Sequence, residues 1–133
     1  MMNETCEKKF YSNRGNLPLL KMIPDDSSVL DCGCGAGDNA RILQLRGCRV
    51  TGVTISTRER EIASRYCEKV ILADLEQGIP ESAGDGYDVV IMSHVLEHLI
   101  RPGIALNDAK RVLSSTGFIA VALPNVLSYD MRL

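Results

Sequence analysis

At 133 residues the chain is long enough for one domain with a real core and too short for two. It is 45% apolar and 24% charged, with a formal net charge of −2, which argues against a general affinity for nucleic acid or an anionic membrane surface. No apolar run approaches the ~20 residues of a membrane helix, and Met1-Met-Asn-Glu-Thr-Cys6 lacks the basic flank and apolar core of a secretory signal, so a cytoplasmic location is expected.

Residues 1–12 are polar and mixed, and read as a loose lead-in or a short helix. From Asn13 to Ile23 the apolar residues Leu17, Leu20 and Ile23 fall at helical spacing. Pro18 sets the start of that helix near Leu17, with the proline in its first turn. Pro24 to Ser28 is a turn. Ser28 to Cys32 is the first strand. Asp38 to Arg46 reads as a helix with Ala40, Leu43 and Gly47 on one face, Arg41 and Arg46 outside it, and Gly47 as its stop.

Cys48 to Ile55 is rich in β-branched residues and nearly unbroken in apolar or small character, as suits a strand covered on both faces. Ser56-Thr-Arg-Glu59 matches a capping box and opens a helix to about Tyr66, with Arg58, Arg60 and Arg65 on its solvated face. Lys69 to Ala73 is a third strand, and Leu75 to Gly86 a loop. Tyr87 to Met92 is the fourth strand and the most apolar. A short helical segment lies between Ser93 and Ile100. After Arg101-Pro-Gly103 a helix runs to about Leu113, with Ile104, Ala105, Ala109, Val112 and Leu113 as its apolar face. Ser114 to Gly117 is a turn, Phe118 to Leu123 the fifth strand, and Pro124-Asn125 ends it.

Strand and helix alternate without repeat or low-complexity segment. That order implies an α/β fold: a doubly wound, mostly parallel five-stranded sheet with helices on both faces. Ligands of such sheets sit beyond the carboxyl ends of the strands. The candidates are therefore the residues just after each strand: Asp31 to Gly37, Thr54 to Ser56, Asp74 and Leu75, Ser93 and His94, and Pro124 with Asn125.

The most informative stretch is Val29-Leu-Asp-Cys-Gly-Cys-Gly-Ala-Gly-Asp38. A strand ends in a carboxylate, and glycines follow at alternate positions. A dinucleotide fingerprint would need glycine or alanine where Asp38 stands, and a P-loop would need a Lys-Ser/Thr pair that is missing here. The pattern D-x-G-x-G-x-G instead resembles motif I of the class I S-adenosylmethionine-dependent methyltransferases. Ala73-Asp-Leu-Glu76 is similar to the family segment whose acid bonds the adenine amino group. Tyr87 to Leu99, with Val95-Leu-Glu-His-Leu99, is very like the corresponding segment of small-molecule methyltransferases, including those of quinone biosynthesis. Gly117 to Asn125 is similar to the family's fifth strand.

The resemblance implies a Rossmann-like methyltransferase core of strand order 3-2-1-4-5 over residues 28–125. Residues 1–27 form an N-terminal lead-in and helix, and 126–133 are read as a tail that starts a missing segment. It implies S-adenosyl-L-methionine as cofactor, held by Asp31, Gly33, Cys34, Gly35, Gly37, Thr54, Ile55, Asp74, Leu75 and Ser93. It implies a small-molecule acceptor, with His94 as the candidate catalytic residue and no metal. A cofactor-binding or catalytically inactive module within a larger protein or assembly is the alternative.

Two departures qualify this reading. The family's acid for the ribose hydroxyls at the end of the second strand is replaced by Thr54, so a weaker anchor or a bond from elsewhere is expected. The two strands that usually follow the fifth are not in the sequence, so the chain is a fragment, dimerises through the exposed fifth-strand edge, or is a minimal version. No nucleic-acid or membrane partner is expected. Asp88, early in the fourth strand, is expected to be structural. So are His98 and Glu97, as capping or packing residues. The five scattered cysteines are read as reduced thiols, with Cys34 lining the cofactor seat.

Overall fold

The computed structural model describes residues 15–124. The lead-in at 1–12, Asn13, Asn125, the tail at 126–133 and Cys6 lie outside these residues. The elements in chain order are α1 (Leu17–Leu20), β1 (Ser28–Cys32), α2 (Asp38–Leu45), β2 (Arg49–Thr54), α3 (Thr57–Ala63), β3 (Lys69–Leu72), β4 (Tyr87–Ser93), α4 (Pro102–Val112) and β5 (Leu113–Ala122). Three 3₁₀ turns join them, at Leu75–Gln77, Glu81–Ala83 and Leu96–His98.

The five strands lie in the order β3-β2-β1-β4-β5, and each neighbouring pair is parallel. The expected order and architecture are those found. Side chains alternate across the sheet, so β1 feeds two cores. Val29 packs with Leu19 and Leu20 of α1, with Ile23 just after it, and with Ala40 and Leu43 of α2. Leu30 and Cys32 pack on the opposite face with Ala105, Ala109 and Val112 of α4. Each of the buried leucines and Ile23 contributes roughly 1.5–3 kcal/mol through removal from water. Helix α1 is thereby part of the core.

Local chemistry sets the element ends. Asn16 caps α1 by accepting from Leu19 N at 3.3 Å, and Pro18 sits in its first turn. Gly47 follows the C-cap of α2 with φ +79° and is exposed, so it ends the helix but belongs to no apolar face. Arg46 also departs from expectation. It turns inward, and its guanidinium donates to Leu20 O at 2.8 Å and to Ile23 O. The segment from Leu75 to Gly86 is no plain loop: it holds two 3₁₀ turns, and Leu75, Ile79 and Ala83 are buried in one cluster with Ala105, Ala109 and Val112 of α4. Asp88 has the structural part expected of it, accepting from Ser28 N at 2.8 Å.

The turn expected at Ser114–Gly117 is instead an extended bulge. Tyr87 pairs with Leu113 and Val89 with Phe118, so β5 gains extra residues between two adjacent ladder positions. A Cβ at Gly117 would lie 2.7 Å from Tyr87 O, so only glycine lets the strand approach there. Among the described residues no strand pairs the outer edge of β5, where Phe118, Val121 and Leu123 are exposed.

Candidate functional site

Strand order reverses between β1 and β4, and a crevice opens at their carboxyl ends. The glycine turn after β1 forms its floor. Gly33 N and Cys34 N both donate to Val53 O, at 2.8 and 2.9 Å, which folds the turn back over β2. Gly33, Gly35 and Gly37 all have positive φ. Their surroundings differ. A Cβ at Gly33 would stand 2.5 Å from Val95 Cγ2, and one at Gly37 would stand 3.0 Å from Ala63 Cα. At Gly35 the only neighbour within 4 Å is Glu59 Oε2, at 3.6 Å. Gly33 and Gly37 are thus glycines of packing. Gly35 faces the crevice.

The crevice has two lobes, of about 450 and 670 Å³, which share Gly33, Gly35, Glu59, Ser93 and His94. The first lobe has apolar walls from Ile55, Ala73, Leu75, Val95 and Leu99. The second is more polar and is bounded by Asn16, Leu17 and Pro18 of the α1 segment and by Asp38 and Asn39 of α2. The two segments are tied together: Asn16 N donates to Asn39 Oδ1 at 2.8 Å, and Asn16 Nδ2 reaches Ser93 Oγ at 3.4 Å. Among the described lining residues there is no lysine or arginine, whereas Asp38 and Glu59 bring carboxyl groups. Burial raises the Asp38 carboxyl above the usual carboxylate range. Arg41 opposes that shift and Glu59 adds to it.

Of the eleven residues that the sequence singled out, eight line the lobes: Gly33, Cys34, Gly35, Thr54, Ile55, Leu75, Ser93 and His94. Three do not. Asp31 lies beneath the turn, 1% exposed, with Oδ2 lacking any hydrogen-bond partner. Burial pushes its carboxyl up from 3.8 to about 7. Gly37 is packed under α3. Asp74 is exposed, and its Oδ1 accepts from Glu76 N at 2.9 Å, capping a 3₁₀ turn. The Cys34 thiol is buried, which raises its pKa. The four described cysteines, Cys32, Cys34, Cys48 and Cys67, are unbridged.

His94 is half exposed, has φ +57° and stands where the lobes meet. Glu97 Oε2 lies 3.7 Å from His94 Nδ1 and 3.8 Å from His98 Nε2, so one carboxylate oxygen faces two imidazoles. His98 itself lines the first lobe.

Glu59 is another lining residue that the sequence reading assigned elsewhere. Half of the expected capping box forms, with Glu59 N donating to Ser56 Oγ at 3.2 Å. The reciprocal half does not. Ser56 N donates to Thr54 Oγ1 at 3.3 Å, and the Thr54 hydroxyl donates to Glu59 Oε1 at 3.0 Å. The sequence places an acid in the first helical turn after β2, but the same letters suit a closed capping box equally well.

A model of the methyltransferase domain matches residues 30–121. The chain is 34% identical to a ubiquinone biosynthesis O-methyltransferase of Methylocella silvestris, covering 78% of this chain and 48% of that protein. It is 31% identical to the ubiquinone biosynthesis O-methyltransferase of Psychrobacter cryohalolentis, covering 89% and 49%. The chain spans about half the length of the curated relatives it matches. Among solved structures, a TehB-like SAM-dependent methyltransferase of Corynebacterium glutamicum superposes with a TM-score of 0.67 at 23% identity, covering 86% of this chain and 68% of that one. A coclaurine N-methyltransferase bound to N-methylheliamine and SAH does so with a TM-score of 0.64 at 25% identity, covering 77% and 34%.

Proposed function

The chain belongs to the methyltransferase domain family, and from that membership we propose that it binds S-adenosyl-L-methionine in the two-lobed crevice and transfers the methyl group to a small hydroxylated acceptor. One observation carries the reading. Gly35 presents bare backbone to a crevice at the strand-order reversal, between an apolar lobe and an acidic one. The cofactor fits that division. Its adenine suits the walls at Ile55, Leu75, Val95 and Leu99, and its cationic methionine end suits a lobe with Asp38 and no basic side chain among the described residues. The relatives named O-methyltransferases favour an oxygen acceptor.

When bound, the cofactor supplies a methyl group already made electrophilic by its positive sulfur. The task left to the chain is alignment, which removes the entropy of bringing two reactants together. Gly35 lets the ligand lie against the backbone. Asn16, Asn39 and Ser93 hold the α1 segment against the second lobe. His94, at the junction, takes the proton from an acceptor hydroxyl, with Glu97 stabilising the resulting imidazolium. Glu97 and His98 then form one cluster with His94 rather than a separate cap.

Calorimetric titration with S-adenosylmethionine and S-adenosylhomocysteine, with NAD as control, tests the proposal. Binding of both and no heat from NAD is expected. Absence of binding to either overturns it. A second reading, a cofactor-binding module that works within a larger chain or assembly, is favoured by the half-length match to the relatives. It predicts binding without formation of S-adenosylhomocysteine from any phenol or amine offered.

A further inference from the structure

We propose that Glu59 anchors the ribose of the cofactor and that Thr54 positions it, an inference that rests on the cofactor reading above. Thr54 stands at the end of β2, but it is buried and its hydroxyl is already engaged on both sides. It accepts from Ser56 N at 3.3 Å and donates its one proton to Glu59 Oε1 at 3.0 Å. A ligand hydroxyl therefore meets the carboxylate beyond Thr54 rather than Thr54 itself. Glu59 Oε2 points toward Gly35, at 3.6 Å from a notional Cβ there.

Position and charge agree with this role. Glu59 is one of five residues shared by both lobes, so it stands beside the middle of any ligand that spans them. In an adenosyl amino acid that middle is the ribose. A carboxylate can accept two charge-assisted hydrogen bonds from neighbouring hydroxyls, which a threonine hydroxyl cannot. No described lysine or arginine lines the crevice to compete for it. The third helical position and the Ser56 cap hold the backbone of Glu59 fixed. Its side chain is also free of the capping duty that its sequence position suggests, because Ser56 N is taken by Thr54.

The test is calorimetry with S-adenosylhomocysteine and its 2′-deoxy analogue on wild type, E59A, E59Q, T54V and T54S. The wild type is expected to prefer the ribose form by about tenfold. E59A is expected to bind S-adenosylhomocysteine at least tenfold more weakly and to lose the preference to within twofold. E59Q, which keeps shape and the Thr54 bond, guards against a folding defect in E59A and is expected to lose most of the preference as well. T54V is expected to weaken binding about threefold, and T54S to restore it. A merely structural role for either residue would leave the ribose preference unchanged. Wild-type binding that E59A and E59Q retain within twofold, or variants that discriminate as well as wild type, overturn the assignment alone. A wild type that binds neither ligand overturns the cofactor reading and this assignment with it.

Discussion

Gly52 of β2 lies directly under Cys34 of the glycine turn: a Cβ at position 52 would stand 2.6 Å from Cys34 Sγ and 3.5 Å from Cys67 Sγ. The missing side chain lets the turn fold flat onto the sheet, where Cys34 N reaches Val53 O. Gly52→Ala is expected to cost about 1–3 kcal/mol by overpacking. It should also weaken S-adenosylhomocysteine binding through the displaced turn. Adding Cys34→Ala removes the clashing sulfur, so the double variant is expected to be more stable than Gly52→Ala alone. Urea denaturation of wild type and the two variants measures the loss and its rescue, and calorimetry with S-adenosylhomocysteine measures the effect on binding.

The glycines of the turn divide between packing and access. Gly37→Ala brings a Cβ against the backbone of Ala63 at φ +92°. Left-handed strain and overpacking together are expected to cost about 2–4 kcal/mol. Gly35→Ala meets nothing but Glu59 Oε2, so only the left-handed penalty of about 1–2 kcal/mol applies. Its methyl group projects into the crevice, and affinity for S-adenosylhomocysteine is expected to fall more than tenfold. Denaturation and calorimetry on the same two proteins separate the roles. Equal losses of stability would refute the division.

Arg46 holds α1 against the sheet through Leu20 O and Ile23 O, and it also meets Asp25 Oδ1 at 2.7 Å. Arg46→Ala is expected to cost about 1.5–3 kcal/mol, because the Leu20 and Ile23 carbonyls lose a charged donor. Asp25 is 68% exposed, so Asp25→Ala is expected to change stability by less than about 1 kcal/mol. Thermal melts compare the two. A larger effect at Asp25 would place the stabilisation in the ion pair instead.

Asp31 makes stability depend on pH in a stated direction. Burial raises its carboxyl from 3.8 to about 7, so between these values the folded chain holds a proton that the unfolded chain has released. Stability from this group is therefore full below about pH 4 and is lost as pH rises toward 7. The upper bound is about 4 kcal/mol, at about 1.4 kcal/mol for each pH unit. Asp31→Asn does not titrate, and its stability is expected to vary less between pH 5 and 7 than that of wild type. Urea midpoints at those two values decide. Parallel curves would show that Asp31 is charged and solvated in the folded chain.

The sequence by itself determined the order of elements, the parallel sheet and the place of the crevice. Those features follow from local patterns: β-branched runs at 49–54 and 87–93, helical spacing at 102–112, and glycines that permit a turn after Asp31. Tertiary structure decided what the polar side chains do. Ser56-Thr-Arg-Glu59 has the same letters whether Glu59 closes its own cap or takes the Thr54 hydroxyl. The choice depends on how α3 meets the end of β2. Asp74 occupies a strand end as anticipated, yet its carboxylate caps the following turn and stays outside the lobes. Arg46 reads as a surface residue until α1 is packed beside it. Periodicity is a property of neighbours in sequence. Hydrogen-bond partners and cavity walls are properties of neighbours in space, and in this fold those neighbours come from different crossovers of the sheet.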